Sequence, residues 1–147
     1  MKIYVASSWR NQIQPDVITK LKCAGYDVYD FRNPTDGDNG FHWSEIDVYW
    51  QEWDVEHYRA NLHHPIAKKG FKKDFDAMKW ADVGVMVMPC GRSAHLEAGY
   101  FVGAEKPLII FIPEKNEPEL MYSMADYICK DLNELMNALK SLFNARS

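Results

Sequence analysis

The chain has no surplus of positive charge: 17 lysines and arginines stand against 21 aspartates and glutamates, a formal net charge of −4. Broad binding to nucleic acid or to an anionic membrane surface needs a basic face, so neither partner is expected. No apolar run approaches the roughly 18 residues of a membrane span. The apolar start, Ile3 to Ala6, is too short for a signal peptide and reads as a strand. Cysteine is scarce and odd in number. Cys23, Cys90 and Cys129 lie far apart without metal-type spacing and read as reduced thiols of a cytoplasmic protein. Both glycine-rich phosphate motifs, G-x-G-x-x-G and G-x-x-x-x-G-K-[ST], are missing, and Ser93 lacks a G-x-S-x-G context. His57, His63 and His64 crowd one segment without H-E-x-x-H spacing, which favours surface histidines over zinc. Cys90 and His95 have no third group to orient them, so a cysteine nucleophile is not expected. No metal and no cofactor is called for. With no repeat or domain boundary, the 147 residues read as one domain, 1–147, able to bury a sizeable core.

What is present is an alternation of strand and helix patterns. Lys2–Ala6 is a first strand, followed by a polar turn, Ser7-Ser8-Trp9-Arg10-Asn11. Pro15 suits the first turn of a helix carrying Val17, Ile18, Leu21 and Ala24 as apolar positions, and Gly25 suits its end. Tyr26–Phe31 is a second strand. Val83–Met88 and Leu108–Ile112 are continuous apolar runs of the kind buried on both faces, Tyr127–Cys129 is a short fifth strand, and Leu132–Phe143 is an amphipathic closing helix. This βαβ grammar predicts an α/β fold with a parallel sheet and right-handed crossovers. An aromatic-rich excursion at about 33–66 interrupts it, with Trp43, Trp50 and Trp53 and a helix from Val55 capped by Asp54. Those aromatics either pack the excursion or form a lid that stacks a flat heterocycle; both can hold.

The most informative stretch is Pro89 to Tyr100, P-C-G-R-S-A-H-L-E-A-G-Y, which leaves a strand, turns at Pro89 and Gly91, and enters a helix with Ser93 expected as N-cap. Ligands in open α/β sheets bind outside the carboxyl ends of strands, and a helix N-terminus offers free N–H groups to anions. Leu96, Tyr100 and Gly103 are spaced for one face of that helix, with Ala94, Ala98, Phe101 and Val102 filling much of the rest. Glu97 is the exception, a carboxylate in a nearly apolar helix, which is costly to bury unless paired. It misses the capping-box slot after Ser93 by one residue. A dipole role near the helix start stays open, but a functional carboxylate is the favoured reading. In the helix preceding the Val83 strand, about Ala67 to Trp80, Phe71, Phe75, Ala77, Met78 and Ala81 form an apolar arc. Asp74 falls inside that arc and Asp76 opposite it, so Asp76 is expected at the surface and Asp74 facing inward.

Three pieces in order, K-I-Y-V-A-S-S-W-R (Lys2–Arg10), D-F-D-A-M-K-W-A-D (Asp74–Asp82) and G-R-S-A-H-L-E-A-G-Y (Gly91–Tyr100) followed by G-A-E-K-P (Gly103–Pro107), resemble the nucleoside 2-deoxyribosyltransferase family and its nucleotide N-glycosidase relatives. The resemblance implies a flavodoxin-like (Rossmann-like) five-stranded parallel sheet with helices on both faces, and cleavage of a base–sugar N-glycosidic bond. It places the family's nucleophilic glutamate on Glu97 and its base-side aspartate on Asp74. The first-strand aromatic falls on Tyr4 or Trp9. Family transferases usually carry another aspartate about six residues before the nucleophile; here that place is Gly91, followed by Arg92 and Ser93. A guanidinium gained beside a helix N-terminus shifts the expected ligand toward a phosphate, with Ser7, Ser8 and Arg10 as further donors. The implied substrate is a small-molecule nucleoside or its 5′-monophosphate, the implied mechanism a retaining two-carboxylate reaction, and the implied assembly a homo-oligomer. Trp43 or Trp50 is placed to cover the base. Two rivals share the sheet: a TIR-like NAD glycohydrolase or interaction domain, and a non-catalytic nucleotide-binding protein.

Overall fold

In the computed structural model, which describes residues 1–145, five strands form one parallel sheet: β1 (Lys2–Ala6), β2 (Asp27–Asp30), β3 (Val83–Val87), β4 (Leu108–Phe111) and β5 (Tyr127–Cys129). Their order is β2-β1-β3-β4-β5, the flavodoxin-like arrangement, whose strand order reverses between β1 and β3. Register sets Ile3 beside Val83 and Val85 beside Ile109. Two compact units make up the chain, residues 1–29 together with the chain from residue 80 onward, and residues 30–79. Among the described residues no helix is long and apolar enough to cross a membrane.

In the first unit, strand periodicity sorts side chains onto two faces. Ile3, Val5, Val83, Val85, Val87, Ile109 and Phe111 point to one face. There they meet α1 (Gln14–Cys23) and α5 (Leu132–Asn144) through Val17, Ile18, Leu21, Leu135 and Leu139, all buried. Pro15 lies in the first turn of α1, and Gly25 just past its end has φ +93°, a left-handed conformation that suits glycine. The other face carries Tyr4, Gly84, Met86 and Ile110, and α4 (Arg92–Gly103) lies on it. The contact is close because Gly84 has no side chain: a Cβ there would stand 2.7 Å from the Phe101 ring.

The start of α4 differs from the sequence reading. The residue in the N-cap position is Gly91, not Ser93, and no side chain caps the helix. The helix starts at Arg92, so Ser93 becomes its second residue, too far into the first turn to cap it. The buried stripe is Ala94, Ala98 and Phe101, whereas Leu96 is 78% exposed. Small alanines let the backbone approach the sheet and Phe101 fills the gap over Gly84, so the Leu96–Tyr100–Gly103 line turns outward.

The 30–79 unit holds two single-turn 3-10 helices, Trp43–Glu45 and Trp50–Glu52, then α2 (Val55–Asn61) and α3 (Pro65–Trp80). Asp54 caps α2 as expected, its carboxylate accepting the His57 N–H at 2.8 Å. Trp43 is the hub of its aromatic cluster, with Phe41, Trp53 and Tyr58 rings 4.8, 5.6 and 6.1 Å away. The Trp53 indole N–H donates to Asp47 at 2.9 Å, and with the Tyr49 N–H it holds that carboxyl below the usual range. Asp38 and Lys73 form an ion pair. On α3, Ala67, Ala77 and Met78 are buried, but Phe71 is 67% exposed and stacks on Phe75. The apolar arc is therefore narrower than its periodicity predicts: the Phe71 ring lies against Phe75 of its own helix and stays largely in solvent.

Candidate active site

The β1 and β3 carboxyl ends, where the sheet order reverses, are fastened to each other by side chains. Ser7 donates its hydroxyl proton to the Val87 carbonyl at 2.9 Å. Asn11 donates to the Pro89 carbonyl at 3.0 Å and Val87 at 3.4 Å, while its Oδ1 accepts the Ile13 and Gln14 N–H groups at 2.8 Å each. One buried amide thus starts α1 and ties it to the end of β3. Sequence reasoning passed over Asn11; its only signal was an Asx-type residue three places before the helix. The tie sets the Ser7–Arg10 turn beside the Gly91–Ser93 turn. Trp9 (42% exposed), Arg10, Arg92 and Ser93 all reach solvent there. The amide of Asn11 already serves the start of α1, whereas the first N–H groups of α4 have no side-chain cap. Ser7's proton is committed to the backbone, so as a ligand contact Ser7 offers lone pairs and Ser8 and Arg10 remain the donor candidates of that turn.

Behind this rim, the Tyr4 hydroxyl donates to the Glu97 carboxylate. Tyr4 is 1% exposed and Glu97 half-buried. Period-two alternation turns Tyr4 onto the α4 face, and Glu97, three residues after Ala94 and four before Phe101, lies along the edge of the helix's inward stripe. Of the two aromatics singled out near the first strand, Tyr4 meets Glu97 from within β1. The bond orients the carboxylate, and a carboxylate acts as a nucleophile in its ionised form.

The opposite flank of α4 is different in character. At 100° per residue, Ala98, Gly99 and Val102 turn away from Glu97 toward β4. They line a cavity of about 720 Å³ with Met86, Met88 and Ile110. His95 is pinned there: its Nδ1 lies 2.7 Å from the Gly91 carbonyl, which can only accept, so Nδ1 carries a proton. Its Nε2 lies 2.7 Å from the Tyr122 hydroxyl. The Cys90 thiol is pushed up to about 12 by burial and by the negative charge of Glu97. It stays protonated at neutral pH, in keeping with the argument against a cysteine nucleophile. Among the described residues no three of His, Cys, Asp and Glu gather to hold a metal ion.

Asp74 lies on α3 in the 30–79 unit, half-buried, and Asp76 is exposed and paired with Lys72 and Lys79. Trp43, in the same unit, is half-buried in its aromatic cluster and Trp50 is 37% exposed.

A 2-deoxyribosyltransferase from the psychrotolerant bacterium Bacillus psychrosaccharolyticus superposes on the chain with a TM-score of 0.65 at 23% identity, over 93% of this chain and 91% of that one. The chain has the fold of the nucleoside deoxyribosyltransferases. A CMP N-glycosidase from Clostridium botulinum superposes with a TM-score of 0.53 at 16% identity, over 95% of this chain and 99% of that one. These neighbours agree with the family that the sequence resembles. No family model matches the chain, nor does any curated protein. In this deoxyribosyltransferase-type sheet, Tyr4, Glu97 and the two turns cluster at the reversal point where such folds bind ligands.

Proposed function

We propose that this protein cleaves the N-glycosidic bond of a (deoxy)nucleoside 5′-monophosphate through a glutamyl glycosyl-enzyme. The observation that carries the reading is the Tyr4–Glu97 hydrogen bond at the β1/β3 reversal point. Glu97 attacks the anomeric carbon, the bond to the base breaks, and its electron pair leaves on the base nitrogen, where Asp74 supplies or relays the proton. Water, or a second base, then attacks the same carbon and frees Glu97. No metal takes part. Arg92 with the uncapped α4 N-terminus, helped by Ser93, Gly91, Ser8 and Arg10, holds the phosphate. Ser7 and Trp9 shape that turn. Trp43 or Trp50 covers the base. The protein acts as a cytoplasmic homo-oligomer; the exposed apolar side chains Leu96 (78%), Leu120 (81%) and Ile128 (55%) support that reading.

Incubation with deoxynucleoside monophosphates, free deoxynucleosides and NAD, monitored for released base, tests the reading. Base release from monophosphates, abolished by Glu97→Ala in a folded protein, is the expected result. Release from NAD alone points to the glycohydrolase rival, and binding without release to a nucleotide-binding protein. An active Glu97→Ala variant refutes the nucleophile.

A further inference from the structure

We propose that Tyr29 is a positioning residue for Glu97, acting through Tyr4; the inference rests on the reading of Glu97 as nucleophile. Tyr29 lies on edge strand β2, next to β1, with its ring stacked on Tyr4 at 13° and a centroid distance of 5.3 Å. Phe101 of α4 meets the Tyr4 ring at 43° and 5.8 Å. Tyr4 is thus held between an aromatic from the edge of the sheet and one from the helix above it.

The geometry of a phenol makes this clamp matter. Its oxygen lies on the ring axis, so spinning the ring leaves the hydroxyl in place, whereas a χ1 swing to another rotamer carries it away from its acceptor. Phe101 obstructs a swing on one side, seated so close over Gly84 that a Cβ there would stand 2.7 Å from its ring. Tyr29 obstructs the swing on the other. Its ring also covers a face of Tyr4 and keeps water from the hydrogen bond, which is stronger where the local dielectric is low. Every part of the clamp belongs to one compact unit, so Glu97 is aimed before any substrate arrives. Nothing in the alternation Asp27-Val28-Tyr29-Asp30 distinguishes Tyr29 from an ordinary edge-strand aromatic.

Proton NMR on the full-length protein tests it. The Tyr4 hydroxyl resonance, assigned by its loss in Tyr4→Phe, is expected to exchange slowly in the wild type and in Tyr29→Phe, which keeps the ring. In Tyr29→Leu it is expected to exchange about tenfold faster or vanish, with the remaining amide spectrum unchanged. Should Tyr29→Leu fail to fold, Tyr29→Met, an unbranched side chain without the ring, carries the same expectation. On released base, the ring-less variant is expected to lose about tenfold in kcat with KM unchanged, and Tyr29→Phe to restore it. Unaltered hydroxyl exchange without the ring overturns the inference and leaves the proposed reaction standing. If the wild type releases no base from any substrate, the reaction fails instead, and the exchange measurement still decides the role of Tyr29.

Discussion

Gly84→Ala is the sharpest probe of how closely α4 is held to the sheet. A Cβ at this position would lie 2.7, 2.8 and 3.1 Å from Cδ2, Cγ and Cε2 of Phe101. Ordinary contact begins near 3.4 Å, so the ring has to retreat by 3.4 − 2.7 = 0.7 Å. It has little room to do so, being 1% exposed, with Tyr4 and Tyr100 ring centroids each 5.8 Å away and the Lys106 ammonium 5.9 Å from its own. Overpacking of this kind costs about 1–3 kcal/mol. Replacing a glycine in a strand returns about 0.5–1 kcal/mol through the unfolded chain. The net expectation is a loss of about 1–2 kcal/mol, which for a chain of this length lowers Tm by about 2–8 °C. Thermal unfolding followed by circular dichroism reads it. Phe101→Leu should be less harmful in the Gly84→Ala background than alone, giving a coupling of about 1 kcal/mol. A Gly84→Ala variant as stable as the wild type refutes the reasoning, because the ring would then be loosely held and unable to brace Tyr4.

Asn11→Ala removes one side chain serving four backbone groups and is expected to cost about 3 kcal/mol in urea unfolding, far above a surface change; a loss under 1 kcal/mol means water replaces it. At pH 8 iodoacetamide should label exposed Cys23 first, since burial pushes Cys129 to about 11 and burial with the Glu97 charge pushes Cys90 to about 12; mass spectrometry showing Cys90 labelled as fast as Cys23 contradicts this. Acid should loosen the 30–79 unit. Asp38, Asp47, Asp54 and Asp76 are all held below the usual carboxylate range by hydrogen bonds, from Lys73, Trp53, the His57 backbone and Lys72 respectively. The folded unit therefore binds fewer protons than the unfolded chain just below pH 4, so their contribution is present above the unfolded value of about 3.9 and fades as pH falls through the lower folded values. Hydrogen exchange at pH 3 and pH 6 checks it; equal protection at both contradicts the assignment.

The five strands were legible in the sequence because apolar runs such as Val83–Val87 and Leu108–Phe111 have no other use in a chain with no membrane-length segment. Glycine, proline and aspartate marked most helix ends, as Gly25, Pro15 and Asp54 show, because those residues act through backbone geometry that is local. Glu97 was legible as a misfit in an apolar helix, and Asp76 as a surface acid. Ser93 was misread because the end of a helix can slide by a residue, and which face of α4 packs inward was not legible because a face is defined only by what it packs against. Phe71 was misread for the same reason: it stays 67% exposed, stacked on Phe75 of its own helix.

Local spacing and side-chain chemistry, then, determined the element order, the parallel sheet and the glutamate worth attention. Only the tertiary structure decided that Tyr4 bonds to that glutamate, that Asn11 ties two strand ends, and that Tyr29 and Phe101 close around Tyr4. Those contacts join residues of different secondary elements, most of them far apart in sequence. Their distances are set by sheet order and by how near α4 can come to Gly84, quantities that no local pattern contains.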